Sequence, residues 1–277
     1  MTTIGGSEPA AGPAPALERL VRRDRAAAAI GLLVLAAIAW ASLLRMRSEM
    51  GGAEGSGTAM PGMAMPDMAM RGWSTVEFLL LFLMWATMMV AMMLPSAAPM
   101  ILLMASVQRR RRERASPAVP TAIFAAGYLL VWTGFSAGAA LLQWALHQAA
   151  LLSPAMASTS PLLGGVFLVT AGLYQWLPLK SACLGHCRSP MDMLSREWRE
   201  GSAGALVMGI RHGVFCLGCC WALMLLLFVA GVMDLRWVAA IGALVLIEKV
   251  ARGGAWVGKV AGLGLVAWGG WMVLSGG

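Results

Sequence analysis

Long uncharged apolar runs, separated by short polar segments, organise this sequence. They predict helices at about residues 26–44, 76–104, 121–146, 162–177, 209–233, 237–247 and 255–274. Apolar and polar residues do not alternate along the runs, which therefore indicate transmembrane helices and not the strands of a β-barrel. We predict an all-α, polytopic transmembrane helical bundle of about seven spans.

The first apolar run follows a Pro- and Ala-rich start and a basic cluster, so we expect residues 1–25 to form a disordered basic tail. A basic flank before a short apolar run is also typical of a cleavable signal, which would leave six spans. Trp40 is atypical after a small-residue cleavage site, and this favours an uncleaved helix over residues 26–44. Residues 45–72 then form an extracytoplasmic linker, and residues 73–277 a six-helix membrane domain.

The charge distribution fits a bacterial inner-membrane protein. Only 12% of residues are charged, against about 25% in soluble domains. The net charge of +8 comes from basic residues at the ends of apolar runs. Such clusters are topology signals and do not predict a nucleic-acid partner. Of the 21 Lys and Arg residues, 17 lie at ends assigned to the cytoplasm and 4 at outer ends, which predicts a cytoplasmic N-terminus and an extracytoplasmic C-terminus.

The fifth apolar run carries the most unusual chemistry. On a helix, His212, Cys216 and Cys219 fall within roughly 60° of one another, with Cys220 beside them. Thiols and imidazoles are the ligands that soft and borderline metals prefer, so these residues predict a main metal site. Free Cys also packs as a small hydrophobe, and inert packing stays open as an alternative.

A related element precedes this helix, in a segment that we expect to be a loop over residues 178–201. Cys183-Leu-Gly-His186-Cys187 shares its frame with Cys216-Leu-Gly-Cys219-Cys220. Neither element has haem-attachment or zinc-finger spacing. We interpret Cys183, His186 and Cys187 as an exit or acceptor site that folds over the fifth span. A redox pair of Cys216 and Cys219 is also compatible with this spacing.

Methionine is the third feature, with 22 residues in the chain. The linker at 45–72 is rich in Met, and the second predicted span places Met88, Met89, Met92 and Met93 on an arc of roughly 140°. Thioether sulfur suits Cu(I) and needs no deprotonation, so we interpret these four residues as transit ligands. Met is also a good gap-filler in membrane helices, which is the alternative reading.

Three motifs together resemble a known family. Trp85-x-x-Met88-x-x-Ala91-Met92-Met93-x-Pro95 is followed by Cys216-x-Gly218-Cys219-Cys220-Trp221 with Met224, and then by Glu248-Lys249. In this order they resemble a bacterial family of uncharacterised integral membrane proteins described as predicted metal-binding membrane proteins. The resemblance covers about residues 75–252. It implies a polytopic inner-membrane protein with a metal site and no established reaction.

Together the patterns favour a membrane protein that binds a soft metal, with copper(I) first and zinc second. It would transport the ion or deliver it to a copper enzyme, with a copper chaperone as a further partner. Two alternatives stay open: a membrane thiol-disulfide oxidoreductase, and a structural or assembly subunit without metal. Glu77, Asp234 and Glu248 are expected at helix ends, with Glu248 spaced to pair with Arg252 at i, i+4. The sequence does not predict an oligomeric state.

Overall fold

In a computed structural model of the chain, the described residues are 15–55, 75–111, 118–149, 160–232 and 234–275. Every regular element within these ranges is a helix. The helices are α1 (Pro15–Gly55), α2 (Thr75–Arg111), α3 (Ala118–Gln148), α4 (Pro161–Tyr174), α5 (Pro178–Arg188), α6 (Pro190–Arg196), α7 (Gly201–Met224), α8 (Leu226–Ala230), α9 (Leu235–Val250) and α10 (Gly254–Ser275). The predicted all-α class is confirmed.

Five segments are long and apolar enough to cross a bilayer: α1, α2, α3, α10 and the nearly continuous pair α7 and α8. Helices α4 and α5 meet at 62° and count as a sixth span if they cross together. Helix α9 has 16 residues, or about 24 Å at about 1.5 Å per residue, which is short for a hydrocarbon core of about 30 Å. The structure therefore supports a membrane protein of several spans, while the count of seven stays a prediction.

Several boundaries differ from the sequence prediction. Helix α1 begins at Pro15 and ends at Gly55, so residues 15–25 are helical and not part of a disordered tail. It also takes in the first part of the expected linker, whose remaining residues, 56–72, lie outside the described ranges.

The expected loop at 178–201 is instead mostly helical. It consists of α5 and α6, each of which starts at a proline in the first helical position, where the missing N–H costs no hydrogen bond. Helix α7 follows from Gly201, earlier than the predicted start near residue 209. The two short helices are polar enough to have been mistaken for irregular chain.

Glycine sets the distances between two helix pairs. Gly127 of α3 and Gly209 of α7 face each other's helix backbone so closely that a Cβ atom at either would overlap it. Gly172 of α4 and Gly262 of α10 meet in the same way. Small residues at such crossings let helix backbones approach closely in membranes. Gly134 and Gly138, a spacing that also suggests close packing, have no neighbouring atom near the position of an added Cβ.

Helix α2 meets α8 and α3 through large side chains instead. The rings of Trp85 on α2 and Phe228 on α8 lie 5.3 Å apart. Trp85 also donates a buried hydrogen bond of 2.6 Å to the Gln143 side chain on α3. Sulfur-bearing residues line the rest of this interface, and they define the candidate site.

Candidate metal centre

The interface of α2 and α7 brings a thiol against a thioether. Cys220 Sγ lies 3.9 Å from Met93 Sδ, and both side chains are fully buried. Trp85 lies two turns before Met93 on α2, Phe228 lies two turns after Cys220, and their rings are in contact. Helix α2 and the α7–α8 pair therefore run antiparallel. Met89 lies one turn from Met93 on the same side of α2, between these two contacts. The two predicted groups of sulfur ligands therefore meet at Met93.

Cys216 has the most polar surroundings of the three α7 thiols. Lys249 of α9 donates to Cys216 Sγ over 2.8 Å and to Ser96 Oγ over 3.0 Å. The Tyr128 hydroxyl lies 3.1 Å from the same sulfur and donates to the Met93 carbonyl over 3.0 Å. An ammonium and a phenol thus converge on one buried thiol, and a positive charge there stabilises a thiolate or a metal–thiolate group.

Helix α5 carries the second cysteine element to α7. Cys187 lies near enough to Cys219 for the two thiols to interact electrostatically. Cys183 Sγ packs on Gly218, so closely that a side chain at that glycine would displace it. Cys219 and Cys220 each donate to the Cys216 carbonyl, over 3.0 and 2.9 Å. All five cysteines are free thiols.

The two histidines predicted as metal ligands take different positions. His212 is buried between the rings of Phe124 and Tyr128, at centroid distances of 5.9 and 5.7 Å, and its Nδ1 has no hydrogen-bond partner among the described residues. His186 stacks on the Phe215 ring at 3.8 Å, with its Nε2 3.9 Å from Glu197. His186 therefore faces away from the thiols, although Cys183 and Cys187 on the same helix approach them.

The remaining predicted ligands are buried but not gathered at one point. The Met92 side chain packs against Gly242 of α9, on a different side of α2 from Met93. Met88 and Met89 are buried in the bundle. Of the predicted transit ligands, Met93 makes a sulfur–sulfur contact with a thiol, that of Cys220.

A buried ion pair fixes α5 against α9. Lys180 Nζ lies 2.7 Å from the Glu248 carboxylate, and both side chains are almost fully buried. Arg188 donates to the carbonyl oxygens of Glu248 and Ala251 over 3.1 and 2.8 Å. The predicted pairing of Glu248 with Arg252 is wrong, because the carboxylate turns into the protein toward Lys180. Glu248 lies in the last turn of α9, at a helix end as predicted, but its carboxylate is buried in the protein.

A cavity of about 180 Å³ lies beside the thiols. Among its lining residues are Met100, Cys187, His212 and Lys249. It joins sulfur and nitrogen donors from α2, α5 and α7 around one space. One residue of the predicted main site, His212, and one of the predicted exit site, Cys187, thus border a common cavity.

The residues that the structure describes contain no group of three or more His, Cys, Asp or Glu side chains arranged to hold a metal ion. The four predicted residues of the main site therefore do not form a preformed metal-binding site. The arrangement instead offers a thiol–thioether pair, Cys220 and Met93, with further thiols one turn or less away. Thiol and thioether sulfur are soft donors, a ligand chemistry that suits copper.

Sequence reasoning missed Lys249 and Tyr128. Lys249 was named only as part of the Glu248-Lys249 motif, although these two residues end the apolar run over residues 237–247. An ionisable residue in such a place is costly in a membrane and marks a functional site by default. Tyr128 carried no comparable signal, since one tyrosine in an apolar helix is ordinary.

Comparison with known proteins yields a family match. The family model PpoB2, described as a copper chaperone, matches residues 82–272, which is more than half of the chain. No curated protein and no solved structure matches the chain. The matched region includes the contact between Cys220 and Met93, the Cys183–Cys187 element and Lys249.

Proposed function

The chain belongs to the PpoB2 copper chaperone family, and we propose that it binds copper(I) inside the bacterial inner membrane and delivers it to a copper enzyme. Delivery is favoured over transport because the family is described as chaperones. The cargo would be held by Met93 and Cys220, with Cys216 and Cys219 completing the set. The observation that carries this proposal is the 3.9 Å approach of Cys220 Sγ to Met93 Sδ.

The chemistry of the contact supports copper(I). Thiolates and thioethers are soft ligands that select this ion, and here one of each comes from a different helix. A bridge between helices makes binding sensitive to their spacing, so that a small shift of α7 against α2 releases the cargo. This suits a protein that hands on an ion rather than retaining it.

Lys249 supports the same proposal through charge. A copper(I) ion held by two thiolates carries a net negative charge, and burying an uncompensated charge is costly. The Lys249 ammonium, 2.8 Å from Cys216 Sγ, compensates that charge. Lysine cannot itself ligate while protonated, so its role is to stabilise the loaded site.

The cavity beside His212 supports a transfer path. Cys187 and His212 both line it, and Cys187 also lies near enough to Cys219 for the two thiols to interact. Copper would pass between the α7 thiols and Cys187 without leaving soft ligands. The Met-rich segment at 45–72 would collect the ion outside the membrane, while Cys183 would serve the acceptor end.

Copper binding by purified protein tests this function. Wild type, Met93→Leu and Cys220→Ser are titrated with Cu(I) against a chromogenic chelator, in detergent with a reductant present. We expect wild type to bind copper and each variant to bind it at least about tenfold more weakly, since loss of a group around a metal typically costs 10- to 100-fold in affinity.

Met104→Leu is the matched control. Met104 is a fully buried methionine of the same helix, about three turns from Met93 and outside the site. Its substitution should leave copper affinity unchanged. Wild type purified without copper-binding capacity, or equal affinities for wild type, Met93→Leu and Cys220→Ser, would contradict the proposal.

A further inference from the structure

A second cavity, of about 300 Å³, opens between α5 and the start of α10, and Arg188 is the lining residue that it shares with the cavity beside the thiols. Its lining includes four cationic residues, Lys180, Arg188, Arg252 and Lys259, and no acidic residue. So many positive charges around one small space repel one another unless an anion joins them. The composition of the wall therefore points to an anionic ligand.

Three of the four charges are not compensated by an acid. Lys180 is paired with Glu248, and Arg188 donates to backbone carbonyls, which carry no formal charge. Across the described residues, no carboxylate forms an ion pair with Arg188, Arg252 or Lys259. The cavity thus keeps a net positive charge that Glu248 does not cancel.

Gln175 adds a neutral donor to the same wall. Its side chain is 3% exposed, and its Oε1 accepts a hydrogen bond from Lys180. Its Nε2 has no partner within the described part of the chain. A buried amide N–H without an acceptor is costly, and an oxygen-rich anion in the cavity would supply one.

The position of the cavity relates it to the membrane surface. Helix α10 has 22 residues, about 33 Å at about 1.5 Å per residue, and just crosses a hydrocarbon core of about 30 Å. Its first turn, which borders the cavity, therefore lies at a bilayer surface. Exposed Trp176 and Trp256 flank Lys259 at 5.7 and 5.5 Å. Tryptophan is enriched at the headgroup level of membranes.

We propose that this cavity binds the phosphate of an anionic phospholipid. Arg252 and Lys259 contact the phosphate oxygens, and the Gln175 amide donates to them from the cavity wall. The acyl chains follow the exposed apolar side of α10, which includes Val260 and Leu263. Basic pockets between membrane helices bind such headgroups, and each Lys or Arg near an anionic surface contributes about 1 kcal/mol. The site is separate from the copper site and does not depend on it.

Lipid titration followed by native mass spectrometry tests the proposal. Phosphatidylglycerol and phosphatidylcholine are added to the full chain in detergent, and the bound fraction is measured for each. We expect a saturable preference for phosphatidylglycerol. Arg252→Gln and Lys259→Gln should each weaken its binding about fivefold, and the double variant about 25-fold.

Three controls make the outcome specific. Arg236→Gln removes an exposed cation at the far end of the molecule. The charge-preserving Arg252→Lys/Lys259→Arg variant keeps the site basic. Both variants should retain the preference for phosphatidylglycerol. The double Gln variant should still bind copper(I) as wild type does, which separates this site from the copper site. Equal binding of the two lipids overturns the proposal. So does an equal loss in Arg236→Gln, or displacement of the lipid by inorganic phosphate alone.

Discussion

Charged side chains in the bundle interior decide how α5 and α9 sit beside the thiols. Lys180 and Glu248 are almost fully buried and form one ion pair, while Lys249 next in sequence points to Cys216. These adjacent residues of α9 thus have two roles. Glu248 anchors α5, and Lys249 compensates negative charge at the Cys216 sulfur. Burial of such a pair is weak evidence for stability, but breaking one is costly because the remaining charge has no partner.

We therefore expect Glu248→Ala to destabilise the protein by about 3–5 kcal/mol. The loss arises from the uncompensated Lys180 ammonium rather than from the missing carboxylate contacts. Equilibrium unfolding in mixed micelles with increasing dodecyl sulfate measures the change. Because α5 also carries Cys187, the variant should bind copper(I) more weakly as well.

The double variant Lys180→Met/Glu248→Ala separates charge from packing. Methionine keeps most of the lysine volume and removes the buried charge, so it should recover a large part of the lost stability. If the single and the double variant were equally unstable, the ion pair would not be the cause.

Part of this site could be predicted from the sequence. Helical periodicity grouped Cys216, Cys219 and Cys220 on one wall and brought Met93 forward as a candidate ligand. It could not assign partners, because periodicity describes one helix and not the helix opposite. The pairing of Glu248 with Arg252 was predicted from local spacing, whereas its actual partner Lys180 lies 68 positions away in sequence.

At the scale of elements, the crossing of α3 and α7 holds the thiols in place. Gly209 abuts the backbone of α3 at Phe124, and Gly213 abuts the Val131 side chain. This close approach brings Tyr128 within 3.1 Å of Cys216. The geometry of the sulfur site therefore depends on a helix contact that contains no sulfur.

Gly209→Ala should separate α7 from α3 and destabilise the protein by about 1–3 kcal/mol, the usual cost of overpacking. Its copper affinity should fall, since Cys216 and Cys220 move with the helix. Unfolding in mixed micelles and the copper titration measure the two effects. No rotamer relieves the clash, because the added Cβ would meet backbone atoms of Phe124.

Gly134→Ala is the matched control on α3, where an added Cβ meets no atom within 4 Å. It should leave both stability and copper affinity near wild type, since alanine is the better helix former. A comparable loss in the two variants would mean that the α3–α7 crossing has no special role.

The boundaries and contacts of the helices are harder to predict than their composition suggests. The long apolar runs predicted α3 and α10 to within three residues, whereas α2 ends at Arg111, seven residues beyond its predicted end. Small-residue spacing suggested Gly134 and Gly138 as a packing face, but a spacing indicates where close approach is allowed and not where it occurs. The polar sequence from Pro178 to Arg196 lacked an apolar run, so α5 and α6 were missed.

In the whole molecule, contacts between helix ends place those ends at two opposite faces of the bundle. On one face, Arg109 pairs with Asp24 near the start of α1, and Arg111 lies over Trp198 before α7 at 4.4 Å. On the other, Gly164 at the start of α4 faces Val229 of α8 and Met272 of α10. The chain therefore returns between the faces through α4–α6 and again through α9, which makes seven passages.

Seven passages do not by themselves require seven spans, because α4 and α9 are shorter than the hydrocarbon core. Alkaline phosphatase fusions, which are active only outside the cytoplasm, distinguish the possibilities when placed after Glu200 and after Gly277. With a cytoplasmic N-terminus, seven spans give an inactive fusion at Glu200 and an active one at Gly277. Six spans, with α9 not crossing, give two inactive fusions, and five spans give two active ones. We expect the seven-span pattern, because the bundle brings α9 alongside α2, where Lys249 reaches Ser96 over 3.0 Å.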